Sequence, residues 1–395
     1  MSKYEQRGVS TSKIDIKNAV QNYDMGLYPL SFCKVIPDVL TDSKKNLFGP
    51  SYCNIMHNNG AGTKAVLAYL YWKETGDISV WRGIAQDAIV MSIDDMVCTG
   101  ATDNFLLTTA IKRNRFRIPG EVIAEIISGT QEFIQAMGEE KIHISHAGGE
   151  THDIGDVVKT ILVDSTLSTR IKRNDVLTCG RIQPGDVIIG LASFGKTRYE
   201  KVYNSGIGST GFASARHDVL SKGYAEKYPE TYDSQIPNEL VFSGSKNLTD
   251  PSGVDGLNIG QLLLSPARTY APVLKSILEN FRPSLHGVVH CSGGGQTKVL
   301  EFVKNIHIIK DNLFSIPPVF SLIQQESGTL WEEMYSTFNM GHRMEIYVKE
   351  NIVEDILKIC QFFDLEAKVI GHCEDAPNKT LTVESTQGKF IYCYD

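Results

Sequence analysis

The chain has 395 residues, 42% hydrophobic and 22% charged, which is enough apolar material for sizeable cores and argues against extensive disorder. At about 150 residues per domain, this length predicts two domains, with three as the alternative. Lys plus Arg number 39 against 46 Asp plus Glu, a formal charge of -7, so no basic field draws in a polyanion and nucleic acid is not expected as a partner.

The N-terminal stretch lacks the apolar core of a signal peptide, and no run approaches the roughly 18 to 20 apolar residues that span a bilayer. No membrane association and a cytoplasmic location are therefore expected. Eight cysteines, at 33, 53, 98, 179, 291, 360, 373 and 393, include no Cys-x-x-Cys pair and no zinc-finger spacing. They read as reduced packing thiols.

In chain order, a Gly-rich turn near residue 60 is followed by helical stretches at Trp81 to Cys98 and Pro119 to Met137. A His- and Gly-rich turn then feeds a β-rich segment from Val157 to Leu167. Charged, turn-prone residues from Arg170 to Asp175 and the Gln183-Pro184-Gly185-Asp186 turn precede a buried-strand signal, Val187 to Ala192, so the domain boundary is placed near residue 180. Residues 1–180 form the expected N-terminal domain and 181–395 the C-terminal one. Gly223 to Asn258 is polar and without periodicity, which predicts a long surface excursion. The last third alternates helix-like and strand-like segments, giving α/β (α+β) layers in both halves.

Four stretches carry chemistry. In Asn59-Gly60-Ala61-Gly62-Thr63-Lys64, glycines let the backbone approach a ligand, a helix start favours anions and Lys64 adds charge, an arrangement that suits phosphate but also suits a plain turn with a helix cap. Asp87, Asp94 and Asp95 lie on an otherwise apolar helix. Asp87 and Asp94 are about two turns apart on one side, where Mg2+ bridging to substrate phosphates would be one use and a solvated face the other. His146 to Asp156 packs two His with Glu150, Asp153 and Asp156 around Gly148-Gly149, and hard oxygen ligands fit Mg2+ better than the histidines do. His290-Cys291-Ser292-Gly293-Gly294-Gly295 ends a buried strand and opens a helix at Gln296, a second anion-binding geometry. Met334 to Gly341 reads as a packed turn with no evident role. Together these features point to ATP, Mg2+ and a second, phosphorylated small-molecule substrate.

In this order the segments resemble the phosphoribosylformylglycinamidine cyclo-ligase (aminoimidazole ribonucleotide synthetase) family, from Tyr4 to about Val383. Tyr4, Gly8 and Val9 are similar to the family's Tyr-x-x-Ala-Gly-Val, and Asn59 to Lys64 to its Asp-Gly-Val-Gly-Thr-Lys. Asp87 with Asp94-Asp95 resembles Gly-Ile-Asp followed by Asn-Asp-Leu, and Gly148 to Thr151 matches Gly-Gly-Glu-Thr. In the second half, Leu263 to Tyr270 is similar to Leu-Leu-x-Pro-Thr-Arg-x-Tyr, His290 to Gly295 to His-x-Thr-Gly-Gly-Gly, and Met334 to Gly341 to Met-Tyr-x-Thr-Phe-Asn-x-Gly.

The resemblance implies a homodimer with a two-domain aminoimidazole ribonucleotide synthetase-like fold, an N-terminal sheet forming a dimer-spanning barrel and a C-terminal α/β sandwich. It implies ATP-dependent closure of formylglycinamidine ribonucleotide to aminoimidazole ribonucleotide in purine biosynthesis, with ATP and Mg2+ as cofactors. On that basis Asn59, Gly60, Gly62, Thr63, Lys64 and Asp87 are expected to bind ATP, and Asp94, Asp95 and Glu150 to hold Mg2+. Lys64, Asp95 and Glu150 are expected to serve catalysis, and Ser209, Thr210, Gly293, Gly294, Gly295 and Asn339 to seat the substrate. The chain departs from the family at Asn59, where the family has Asp. The family's Ser-Gly-x-His-Ser-Asn-Gly appears as Ser205 to Gly211 with Gly208 and Thr210 in place of His and Asn. Alternatives are a thiamine-monophosphate kinase-like or selenophosphate synthetase-like enzyme of the same superfamily, or a nucleotide-binding homologue without turnover.

Overall fold

The computed structural model describes residues 3–9, 19, 23–38 and 51–393. Strands β1 (Val35–Pro37), β2 (Tyr52–Gly60), β3 (Phe105–Arg113), β4 (Ile144–Asp153) and β5 (Ile161–Lys172) make a five-stranded sheet in the order β1-β2-β5-β3-β4. After β5 the chain begins a second sheet with β6 (Val187–Ala192), followed by the short pair β7 (Phe194–Gly195) and β8 (Asn204–Ser205). The second sheet continues through β9 (Leu285–His290), β10 (Ile306–Lys310), β11 (His342–Val348), β12 (Ala367–Asp375), β13 (Thr380–Ser385) and β14 (Gly388–Cys393). Its seven strands run in the order β14-β13-β10-β12-β6-β11-β9.

The helices are α1 (Lys3–Gln6), α2 (Lys64–Thr75), α3 (Val80–Cys98), α4 (Gly120–Glu139), α5 (Phe212–Val219), α6 (Gly223–Lys227), α7 (Ile259–Leu263), α8 (Ala271–Phe281), α9 (Pro318–Ser327), α10 (Trp331–Thr337) and α11 (Val353–Phe362). Strand β5 alternates buried and partly open residues because one face packs on helix and the other does not. Helix α3 behaves differently. Every residue from Asp87 to Cys98 is buried, since α3 packs on β2 and β5 on one side and on β9 and α8 on the other. The two halves therefore meet through α3, and α2 adds contacts to the second half.

Three expectations need correction. His146 to Asp153 is not a turn but most of β4, an edge strand lying parallel to β3, with its turn deferred to residues 154–160. Strand β5 continues past Leu167 through Arg170 to Lys172, because pairing with β2 as far as Tyr52 extends it. Residues 223–258 are packed structure rather than a surface excursion: Tyr224, Tyr228, Val241, Phe242 and Leu248 are buried, and Tyr69 of α2 donates to Glu230 at 2.6 Å. Aromatic residues spaced without period gave no helical or strand signal, yet each fills the space beside α2 and α5.

Candidate active site

The first glycine loop connects β2 to α2. At Gly60 a Cβ would stand 2.2 Å from Asp164 Oδ1, so only glycine lets β2 run beside β5 here, and Gly62 takes a left-handed φ of 55°. Asn59 Oδ1 accepts from the Gly60 N–H at 2.9 Å, which already engages that amide. Thr63 caps α2 without a side-chain hydrogen bond. Lys64 turns inward and is fully buried. Its Nζ lies 3.0 and 2.9 Å from the two oxygens of Asp87 and donates to the Ser265 carbonyl at 2.6 Å. Burial pushes the Lys64 ammonium below and the Asp87 carboxyl above their ordinary values, with each charge opposing the other's shift.

The two adjacent acids of α3 part company. Asp94 accepts from Thr269 Oγ1 at 2.6 Å and from the Tyr270 N–H at 3.1 Å, so it ties α3 to the loop before α8. Burial raises its pKa to about 6 against the charges of His290 and Arg343 and these two bonds. Asp95 takes different partners, with His290 Nδ1 at 2.6 Å and His57 Nε2 at 2.9 Å. Burial works against its ionisation, but the bonds and charges of the two histidines outweigh that and hold the carboxyl at about 2. An ionised carboxylate only accepts, so His290 donates its Nδ1–H to Asp95, and its Nε2 is buried without a partner.

Three remote segments converge beside this dyad. Gly208 and Thr210, Cys291 and Ser292, and Phe338 and Asn339 line a cavity of about 10 Å³, room for one water, together with Arg343. The glycines are required: a Cβ at Gly295 would lie 2.6 Å from the Phe338 carbonyl oxygen, and one at Gly211 would lie 2.3 Å from the Phe338 ring. Asn339 binds the loops to one another, accepting from Ser193 Oγ at 2.8 Å and donating to the Gly206 carbonyl at 2.9 Å. A larger cleft of about 450 Å³ opens between α3, α4 and the segments 199–204 and 265–269.

Comparison with known proteins covers most of the chain. The family model of the AIR synthase related protein N-terminal domain matches residues 48–169, and that of the C-terminal domain matches residues 183–384. The chain belongs to the AIR synthase related family. A phosphoribosylformylglycinamidine cyclo-ligase from Methanococcus vannielii is 28% identical over 329 residues, covering 83% of this chain and 79% of that protein. Among solved structures, a HypE–HypF complex aligns with a TM-score of 0.56 at 14% identity, covering 97% of this chain and 99% of the other. Thermotoga maritima PurL complexed with FGAR aligns with a TM-score of 0.52 at 12% identity over 98% of this chain, which spans only 53% of that longer protein. At these identities the two structures show the fold.

Within this AIR synthase related fold, the residues expected to share a metal are not brought together. Asp94 and Asp95 face different partners, and Glu150 is exposed on edge strand β4. Glu150 instead belongs to a cross-sheet row, Gly60–Asp164–Ala110–Glu150, on the open face of the first sheet. Asp164 pairs there with Lys112 Nζ at 2.5 Å. Among the described residues, the group whose ligand atoms do cluster within 4.8 Å is Cys291, His342 and Glu345. It is already satisfied: Glu345 accepts from Lys310, from His342 at 3.0 Å and from Tyr347 at 2.6 Å, so a cation would meet the Lys310 ammonium. Sequence reasoning missed His57, Asp164, Lys112 and Arg343, which sit in no motif and become neighbours only through sheet pairing and loop convergence.

Proposed function

We propose that the protein closes formylglycinamidine ribonucleotide to aminoimidazole ribonucleotide at the expense of ATP, releasing ADP and phosphate as a cytoplasmic homodimer of purine biosynthesis. The observation that carries this reading is the single cavity at which Ser205 to Gly211, His290 to Gly295 and Met334 to Gly341 meet, since each of these stretches separately resembles the cyclo-ligase family. The relatives' names and the family membership support the same activity.

In this reaction the formyl oxygen takes the γ-phosphoryl group, the amidine nitrogen attacks the activated carbon, and phosphate leaves. His290, oriented by Asp95, is placed to accept at Nε2 the proton that the attacking nitrogen loses. The glycines of residues 293–295 bring backbone close to the substrate. ATP fits the open face of the first sheet beside Gly60, where Lys112 faces the phosphates.

Mg2+ would be carried by those phosphates and would neutralise their charge. Asp164 and Glu150, roughly 10 Å apart across Ala110, are the carboxylates of this face, whereas Asp94 and Asp95 do not fit a metal because their oxygens are already bonded. The same face carries an apolar row, Met56 (64% exposed) and Leu106 (51%) either side of Ser168, which a second copy would cover.

A coupled assay tests the reading: ATP, Mg2+ and formylglycinamidine ribonucleotide should give ADP and aminoimidazole ribonucleotide in equal amounts. ADP with thiamine monophosphate or selenide and none with this substrate would move the protein to another activity of the superfamily. Binding of nucleotide without ADP from any of them would make it a non-turning homologue.

A further inference from the structure

Arg343 stands on β11, two residues after the Gly341 turn, and is 2% exposed. Its Nη2 donates to the Arg268 carbonyl and its Nη1 to the Ile207 carbonyl at 3.5 Å, while Nε has no partner. No ion pair joins it to a carboxylate among the described residues. The neighbouring Arg268, by contrast, is clamped by Glu200 at 2.6 Å. Asp94 and Asp87 feel the Arg343 charge but are bonded elsewhere. A buried guanidinium N–H without an acceptor is costly, and no described carboxylate bonds this one, so Nε marks a place that an acceptor oxygen occupies.

The surroundings identify that place. Arg343 lines the cavity shared by Gly208, Thr210, Ser292 and Asn339, whose walls contain no acidic residue. Ser209 Oγ, between two of those wall residues, is buried and also without a partner. Gly208 is where the resembling family carries His, and a Cβ built there would lie 3.2 Å from Arg343 Nη1 and 3.7 Å from its Cδ. A His side chain at 208 and this guanidinium would compete for one volume.

We propose that Arg343 seats a phosphate group of the substrate, with one phosphate oxygen entering the cavity and Nε–H and the Ser209 hydroxyl as donors. This deepens the cyclo-ligase reading and rests on it for the identity of the substrate. Arginine suits the task because its planar fork and permanent charge match phosphate oxygens.

The test is calorimetric titration of wild type, Arg343→Gln and the Gly208→His/Arg343→Gly double variant with formylglycinamidine ribonucleotide and, separately, with a non-hydrolysable ATP analogue. Arg343→Gln should weaken substrate binding roughly ten- to hundredfold and change analogue binding by less than about twofold. Relative to wild type measured at the same pH, the double variant should recover substrate affinity at pH 6 and lose it by pH 8, as an imidazole discharges while the guanidinium does not. Equal substrate affinity in a folded Arg343→Gln protein, weakening confined to the ATP analogue, or a double variant that never recovers would each overturn the proposal. If Arg343→Gln does not fold, Arg343→Lys replaces it, with the same losses expected because the Nε donor is gone. Should wild type fail to bind formylglycinamidine ribonucleotide, the cyclo-ligase reading falls and inorganic phosphate decides on Arg343: thermal stabilisation of wild type but not of the variant upholds the seat, and equal response removes it.

Discussion

Lys64 Nζ sits 3.0 Å and 2.9 Å from the two oxygens of Asp87, and neither side chain reaches solvent. The pair joins the start of α2 to the middle of α3, and its outer bonds, to the Ser265 carbonyl and from the Ala267 N–H at 2.7 Å, extend it to the loop before α8. A lysine that looks like a phosphate ligand in sequence is thus a cross-brace between the two halves.

Removing one partner leaves the other buried and unpaired. Lys64→Met should destabilise the protein by about 3 to 5 kcal/mol, and Lys64→Met combined with Asp87→Leu should recover part of that loss. Urea unfolding of wild type and these two variants measures it. A Lys64→Met protein as stable as wild type would show that the pair braces nothing.

Asp94 and Asp95 respond to pH in opposite senses. Asp94 is raised from 3.8 to about 6, so its ionisation opposes folding and stability is lost as pH climbs from 3.8 through 6. Asp94→Asn keeps the acceptor for Thr269 and removes the charge, and should stabilise the protein at pH 8 by up to about 3 kcal/mol while matching wild type near pH 4. Asp95 is lowered from 3.8 to about 2, so its contribution is complete above 3.8 and disappears as pH falls towards 2. Denaturant unfolding across pH 3 to 8 separates the two carboxyls by slope.

The His290–Asp95 bond predicts a catalytic signature. His290→Ala should lower kcat by roughly 10² to 10⁴ with a smaller effect on KM, and Asp95→Asn, which can no longer hold the Nδ1–H tautomer reliably, should lower it by a lesser factor. Steady-state rates for the folded variants check this. Wild-type kcat in His290→Ala would remove His290 from the chemistry.

Covering the Met56–Ser168–Leu106 row by a second copy predicts a dimer in solution. Replacing both Met56 and Leu106 with Glu should shift light scattering to the monomer mass and reduce activity in step, because a charge facing its own copy repels across the shared face. A dimer that survives both changes would place the interface elsewhere.

The helix through Asp87, Asp94 and Asp95 was readable along the chain because α3 is long and mostly apolar between its acids, and the strand 187–192 because it is a short apolar run that opens with three β-branched residues after a turn. Edge strand β4 was not, since an exposed strand of His, Gly, Thr and acids has neither alternation nor apolar content and exists by pairing with β3. The packed segment 223–258 escaped for a related reason: isolated aromatics declare burial only when a neighbouring helix is there to receive them.

Motif order alone was enough to identify the family and to point to the Ser205, His290 and Asn339 stretches, because the glycines of such loops answer to local backbone needs that spacing records. The use of each charged group was settled in three dimensions. Lys64 faces Asp87 instead of solvent, Asp94 and Asp95 bond different partners, and Arg343 fills the space beside Gly208. A charge acts through the partners within a few ångströms of it, and for these residues the partners lie tens to hundreds of positions away in the chain, brought near only when the two sheets close on α3.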